Sequence, residues 1–191
     1  MRDDVVEDLD RRMMRRCIAC AREGVSAGEF PFACVIARGE DVVCTSSNRT
    51  RRDSDVTRHA EMVAMTQAQR QLGRGALRDC TLYTTVEPCP MCSFAVRETR
   101  IARVVFGVYS PLMGGHSRWD VLADRDLSGR MGEVFAAPPQ VRGGVLVDEV
   151  ASLWRRARPM AWGVIRWRGV FRLAPDVAPE PTPKLAAEPQ P

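Results

Sequence analysis

The sequence predicts an α/β domain with a mixed sheet covered by helices on both faces. Three patterns predict it: an amphipathic helix near the start, two apolar strand segments joined by a polar turn, and helix and strand patterns that alternate from residue 59 onward. At 191 residues the chain has room for one domain with a sizeable core and not for a second full one.

Val6, Leu9, Met13, Cys17 and Ala21 recur at three- and four-residue spacing, one face of a helix that Gly24 is expected to end. PFACVIA (31–37) is a continuous apolar run, ARGED supplies a turn, and VVCTSS (42–47) continues, so the segment reads as a hairpin with a well-buried first strand. Its second strand delivers Asn48. Residues 59–72 have helical periodicity through Met62, Met65 and Leu72, and TLYTT (81–85) has strand composition. Pro88 and Pro90 bracket Cys89 ahead of a helix from Met91 to about Thr99, and RIARVVFGV (100–108) follows as a strand. Segment 109–142 carries only short helical hints, after which GVLVDEVASLWRRA (144–157) reads as strand and then helix. The domain is expected to span 1–173, with core motifs in 30–108 and substrate and C-terminal elements in 109–173. From 174 onward six prolines in eighteen residues predict a disordered tail. No internal repeat is present.

Composition narrows the function classes. The first thirty residues mix Asp, Glu and Arg and lack the apolar core of a signal peptide, and no later run approaches the roughly 18 apolar residues of a membrane span. A soluble, cytoplasmic protein is expected. Seven cysteines in such a protein read as thiols or metal ligands rather than disulfide partners. The net charge of +4 is modest and does not by itself imply nucleic acid.

His59-Ala60-Glu61 and Pro88-Cys89-Pro90-Met91-Cys92 carry the chemistry. An imidazole and two thiolates are borderline-soft ligands suited to zinc, and three protein ligands leave a fourth position open for water, which is the mark of a catalytic rather than a scaffolding site. Cys89 and Cys92 fall at a helix start, where unpaired N–H groups and the helix dipole favour thiolates. Glu61, two residues from His59, points away from the metal and suits proton transfer. One Zn2+ per chain is expected on His59, Cys89 and Cys92, with a zinc-bound hydroxide attacking an amidine-type ring carbon and Glu61 shuttling the protons as ammonia leaves. Cys17 and Cys20 form a second C-x-x-C on the apolar face of the first helix and read as core, whereas Cys80 is a candidate fourth thiolate that would close the metal.

The paired strings H-x-E and P-C-x-x-C are the signature of zinc deaminases. Together with PFACVI, Asn48, LYTTVEPCPMC and RVVFGV, they make residues 30–108 resemble the cytidine deaminase-like superfamily (the CMP/dCMP-type zinc deaminase domain). The likeness is to the branch of guanine deaminases, free-base cytosine deaminases and tRNA adenosine deaminases. The resemblance implies a three-layer α/β/α fold with a mixed five-stranded sheet and a homodimer. It also implies substrate contacts by Asn48, Phe32 and the backbone of Ala60, with Glu87 and Pro88 supporting the zinc loop. Ala33 and Cys34 stand where many relatives carry Gly-Ala, and the loop YSPLMGGHSRWDVL, which contains His116, matches none of the branch's substrate loops.

The leading expectation is a deaminase of a small nucleobase or nucleoside of guanine or cytosine type. The alternative is a tRNA adenosine deaminase: RTRRDSDVTR (49–58) has four Arg against two Asp, and 154–172 interleaves Trp154, Trp162, Trp167 and Phe171 with six Arg, a mixture that suits RNA. The same segment can instead pack its aromatics inward and leave Arg in water. A remote third reading is a zinc-stabilised binding module without catalysis.

Overall fold

The computed structural model describes residues 2–73, 75 and 77–175, so the proline-rich tail lies almost wholly outside the described residues. The elements are α1 (Arg2–Ser26), β1 (Ala33–Arg38), β2 (Asp41–Ser47), α2 (Ala60–Leu72), β3 (Thr81–Val86), α3 (Pro90–Thr99) and β4 (Arg103–Val108), followed by α4 (Arg125–Arg130), β5 (Gln140–Arg142), α5 (Val147–Ala157) and α6 (Pro159–Trp167). The strands form a five-stranded sheet in the order β2-β1-β3-β4-β5. β1 pairs antiparallel with both β2 and β3, while β3–β4 and β4–β5 are parallel. The sheet is therefore mixed, as expected.

Alternation along the central strands explains the three layers. Ala33, Val35 and Ala37 of β1 face one core with Met13, Met14, Cys17 and Ile18 of α1 and Val150, Ala151 and Trp154 of α5. Cys34 and Ile36 face the other with Ala60, Ala64, Met65 and Ala68 of α2 and Val96 of α3. Because both faces are covered, β1 is buried along its length except at Arg38 and reads as an unbroken apolar run.

Two elements differ from the sequence expectation. α1 does not stop at Gly24: it continues to Ser26, and Gly28 at φ +89° follows its end. A Cβ on Gly24 would lie 2.7 Å from Cβ of Ser47, so this glycine lets the helix approach β2 rather than ending the helix. The strand expected at 144–147 is instead the three-residue β5 at 140–142, and the chain turns into α5 through Leu146 in a left-handed conformation. Residues 159–167 form helix α6. Trp154, Trp162 and Phe171 are buried, but Trp167 is exposed to 83%, so the aromatics pack inward with that one exception.

α1 is also held by charge. Asp10 is fully buried, and its carboxylate accepts from Arg103 Nη1 and Nη2 of β4 at 2.6 and 2.7 Å, from Arg142 Nη1 of β5 at 2.9 Å and from the Tyr83 hydroxyl at 3.2 Å.

Candidate metal centre and active site

Two helix starts converge to build the ligand set. His59 is the N-cap of α2 and Cys89 the N-cap of α3, both with extended backbone and neither using its side chain as a cap. Their carbonyls accept the opening helical bonds from Val63 and Ser93, and their side chains turn to each other. Pro90 at the first position of α3 has no N–H to leave unpaired, and Cys92 follows in the first turn.

His59 Nδ1 lies 3.5 Å from Cys89 Sγ and 3.5 Å from Cys92 Sγ, and the two sulfurs are 3.7 Å apart. A tetrahedral ion with Zn–S near about 2.3 Å and Zn–N near about 2.0 Å requires S···S of about 3.8 Å and S···N of about 3.5 Å. The triangle fits zinc. Among the described residues these three form the group of His, Cys, Asp or Glu ligand atoms close enough to hold one ion. The thiols show the same preparation: hydrogen bonding from Cys92, then from His59, lowers Cys89 to about 4, while Cys92 is pushed well up by that shared proton and by burial. One proton leaves the pair easily and the second does not, a penalty that a dication at the centre of the triangle would remove.

Glu61 is buried beside this set. Its Oε1 accepts from Thr84 Oγ1 of β3 at 2.9 Å, and its Oε2 lies 3.6 Å from Cys92 Sγ. Burial, then the charge of Cys89, pushes the Glu61 carboxyl above its ordinary value. His59 is also raised, first by its bond with Cys89 and against burial.

A cavity of about 310 Å³ opens onto His59, Glu61 and Cys89. Asn48, Thr50, Glu87 and Ser110 supply further polar lining, and Phe30, Phe32, Val86, Met113, Ile165, Val170 and Phe171 the apolar walls. Asn48 and Phe32 thus stand at the cavity. Phe32 packs edge-on against Trp154 at 5.1 Å and Phe171 at 6.3 Å. Ala60 and Pro88 are buried and are not among the lining residues.

Glu87 has a broader connection than the zinc loop alone. Its carboxylate accepts from the backbone N–H of Ser110, His116 and Ser117 and from the Ser117 hydroxyl, which folds loop 110–117 over it. A Cβ on Gly114 would come within 2.0 Å of Glu87 Oε1, and Gly115 donates its N–H to the Pro88 carbonyl at 2.7 Å. Loop 110–117 is therefore tied directly behind Cys89. His116 belongs to this loop, its ring 6.5 Å from that of Phe106, and is not among the cavity lining.

Cys80 does not join the ligands. It precedes β3 and packs in the α2–α3 core, about 20 Å of strand from Glu87 at the other end. Cys17 packs against the sheet, donating to the Tyr83 carbonyl at 3.3 Å, and Cys20 is half-buried. Sequence reasoning missed Glu29, Thr84 and the C-terminal wall. The sequence carries one signal for them: Glu29 is a lone charge ahead of an apolar run.

Residues 7–108 match the family described as the cytidine and deoxycytidylate deaminase zinc-binding region. The tRNA(Ile)-lysidine synthase of Deinococcus deserti is 38% identical over 78% of this chain, which spans 26% of that protein, and the chain spans 28% of the corresponding Deinococcus radiodurans protein. The tRNA-specific adenosine deaminase of Streptococcus pyogenes serotype M18 is 30% identical over 73% of this chain and 84% of its own. Among solved structures, a tRNA:A34 deaminase superposes with a TM-score of 0.66 at 30% identity, covering 74% of this chain and 98% of that one. A guanine deaminase from Nitrosomonas europaea shares the fold, with a TM-score of 0.62 at 22% identity over 77% and 83% of the two chains. No described helix is long and apolar enough to cross a membrane. With the ligand triangle, the mixed sheet and the matched span in agreement, the chain belongs to the cytidine and deoxycytidylate deaminase zinc-binding family.

Proposed function

We propose that the protein is a hydrolytic deaminase of a free nucleobase or nucleoside. The supporting observation is the cavity beside Glu61: at about 310 Å³ it stands at the low end of the roughly 300–1,000 Å³ of small-molecule sites, and the C-terminal segment walls it with Ile165, Val170 and Phe171. That segment is strapped beside the end of β4 by paired backbone bonds between Tyr109 and Arg172. Its Trp154 and Trp162 are buried against each other and against Phe171, which withdraws the two indoles from base stacking.

His59, Cys89 and Cys92 would hold zinc, which when bound lowers the pKa of a water to about 7 and so supplies a nucleophile at neutral pH. Glu61, with its proton affinity raised by burial, carries two protons in succession, the first from the attacking water to the ring nitrogen and the second from the added hydroxyl to the amino group that leaves as ammonia. Thr84 holds one Glu61 oxygen and leaves the other for that work. Asn48 fixes the edge of the ring or its sugar, Phe32 packs against its face, and Glu87 holds loop 110–117 against Pro88. The Ala60 N–H, at the first position of α2 and without an intrahelical partner, is the backbone donor assigned to the substrate in this reading, although Ala60 itself lies outside the cavity lining.

A second reading, adenosine deamination in tRNA, is favoured by the 30% identity to tRNA-specific adenosine deaminases. A homodimer accompanies either reading. Met113, which lines the cavity, is exposed to 56%, and Leu112, Phe94 and Trp119 are exposed on the same stretch or on α3, apolar surface that a second copy would cover. Ammonia release from guanine, cytosine, adenine, their nucleosides and an adenosine-bearing tRNA anticodon stem decides between the substrates. Turnover of a small compound, lost in Glu61→Gln, supports the first reading. Activity confined to the RNA overturns it in favour of the second, and a monomeric mass in solution removes the dimer.

A further inference from the structure

Glu29 is a fully buried carboxylate one residue ahead of the cavity wall at Phe30, and no part of the deamination chemistry uses it. Its Oε2 accepts from Asn48 Nδ2 at 3.0 Å and from the backbone N–H of Arg51 at 3.4 Å, and its Oε1 accepts from the backbone N–H of Arg52 at 2.8 Å. The Asn48 amide nitrogen also donates to Thr50 Oγ1 at 2.8 Å. Both amide protons of Asn48 are therefore engaged within the protein. The main chain at Asn48 is fixed as well, its N–H donating to the Phe32 carbonyl at 2.9 Å.

We propose that Glu29 is a positioning residue that sets which end of the Asn48 carboxamide meets the substrate. An ionised carboxylate can only accept hydrogen bonds, so it holds the NH2 end and rejects the oxygen end. A carboxamide turned over would set Oδ1 against Glu29 and strand two buried acceptors together. Asn48 Oδ1 is thus the group left for the cavity, and the site selects a substrate that offers a donor there: a ring N–H, an amino group or a sugar hydroxyl. The same carboxylate gathers the Arg51 and Arg52 amides, so one buried charge orders both the recognition residue and the link that leads to His59. The inference rests on the reading that Asn48 touches substrate.

The test uses the zinc-loaded, full-length chain and the variant Glu29→Gln, which keeps the shape and lets the neighbouring carboxamide turn over. The Asn48 side-chain NH2 pair, identified in 15N-resolved spectra by its loss in Asn48→Asp, is expected to be protected from solvent exchange in the parent and exposed in Glu29→Gln. On whichever compound of the panel is turned over, Glu29→Gln is expected to raise KM about tenfold, the loss of one buried hydrogen bond, with kcat changed less than about twofold and zinc still one per chain. Rapid exchange of the parent amide, or an unchanged KM in the variant, overturns the assignment. A parallel fall in kcat, zinc content and thermal midpoint also overturns it, because it marks a merely structural carboxylate. If Glu29→Gln does not fold, Glu29→Asp retains the charge, withdraws it by one methylene and is expected to show the same loss of amide protection. Should the parent turn over nothing in the panel, the deaminase reading fails, and the amide exchange still decides the role of Glu29.

Discussion

Thr84 Oγ1 donates to Glu61 Oε1 at 2.9 Å in a site where both residues are buried, joining the middle of the sheet to the first turn of α2. The bond fixes one carboxylate oxygen and so directs the other. Thr84→Val removes it at nearly constant volume and is expected to lower kcat about tenfold with zinc content unchanged, while Thr84→Ser stays near the parent. Equal kcat for Val and Ser in an ammonia-release assay would remove the positioning role.

Glu61→Gln and Cys80→Ala separate catalysis from metal retention. Glu61 is no ligand in the triangle and Cys80 lies in the α2–α3 core, so both variants are expected to keep one zinc by metal analysis. Glu61→Gln should lose at least about a hundredfold in turnover and Cys80→Ala should lose none beyond the cost of a small cavity. Zinc release by Cys80→Ala would revive the non-catalytic module.

Asp10 is the charge that docks α1 on the far strands, through Arg103, Arg142 and Tyr83. Asp10→Ala leaves two guanidinium groups and a phenol without their shared acceptor, one guanidinium half out in solvent, and is expected to destabilise by about 3 kcal/mol. Urea unfolding measures this, and a change under about 1 kcal/mol would show that water replaces the carboxylate freely.

Gly114 is the place where the long loop passes over Glu87, and a Cβ there would overlap the carboxylate. Gly114→Ala is expected to cost about 2 kcal/mol and to raise KM, since the displaced loop carries Ser110 and Met113 of the cavity wall. An unfolding midpoint and KM both equal to those of the parent would show that loop and carboxylate are not coupled.

Buried thiols give the protein an alkaline limit. Burial pushes Cys17 and Cys34 well above 9.0, and Cys44 to about 11. Between about pH 9 and pH 11 the unfolded chain has released these protons and the folded chain has not, so the unfolded state binds fewer protons and stability falls as pH rises. Unfolding free energy should be flat with respect to these groups below about pH 8 and decline through that window, less steeply in Cys44→Ala. A urea midpoint independent of pH up to about 10.5 would contradict this.

The ligands were legible in the sequence because their spacing is local: three residues fix Cys89 against Cys92, and Pro90 marks the helix start that holds them. β1 was legible for a similar reason, since burial on both faces leaves a continuous apolar run. Gly24 misled because its role is set by Ser47, far along the chain, and not by its neighbours. Glu29 left little trace because two of its partners are backbone amides, which every sequence has. The one local mark of a helix at 159–167 is Pro159 at its first position, and the burial of Trp162 completes α6.

The strap formed by Tyr109 and Arg172 has a consequence for how such a protein diversifies. Every group assigned to bond breaking comes from the span ending at β4, whereas Ile165, Val170 and Phe171 arrive from a late segment hooked onto it through two backbone bonds. Exchanges in the late segment can reshape the chamber without disturbing the reactive groups, as a lock can be rekeyed without recasting the bolt. A chamber walled in this way can change what it admits at Ile165, Val170 and Phe171, in addition to the recognition contacts at Asn48 and Phe32, while the metal and proton-transfer groups stay as they are.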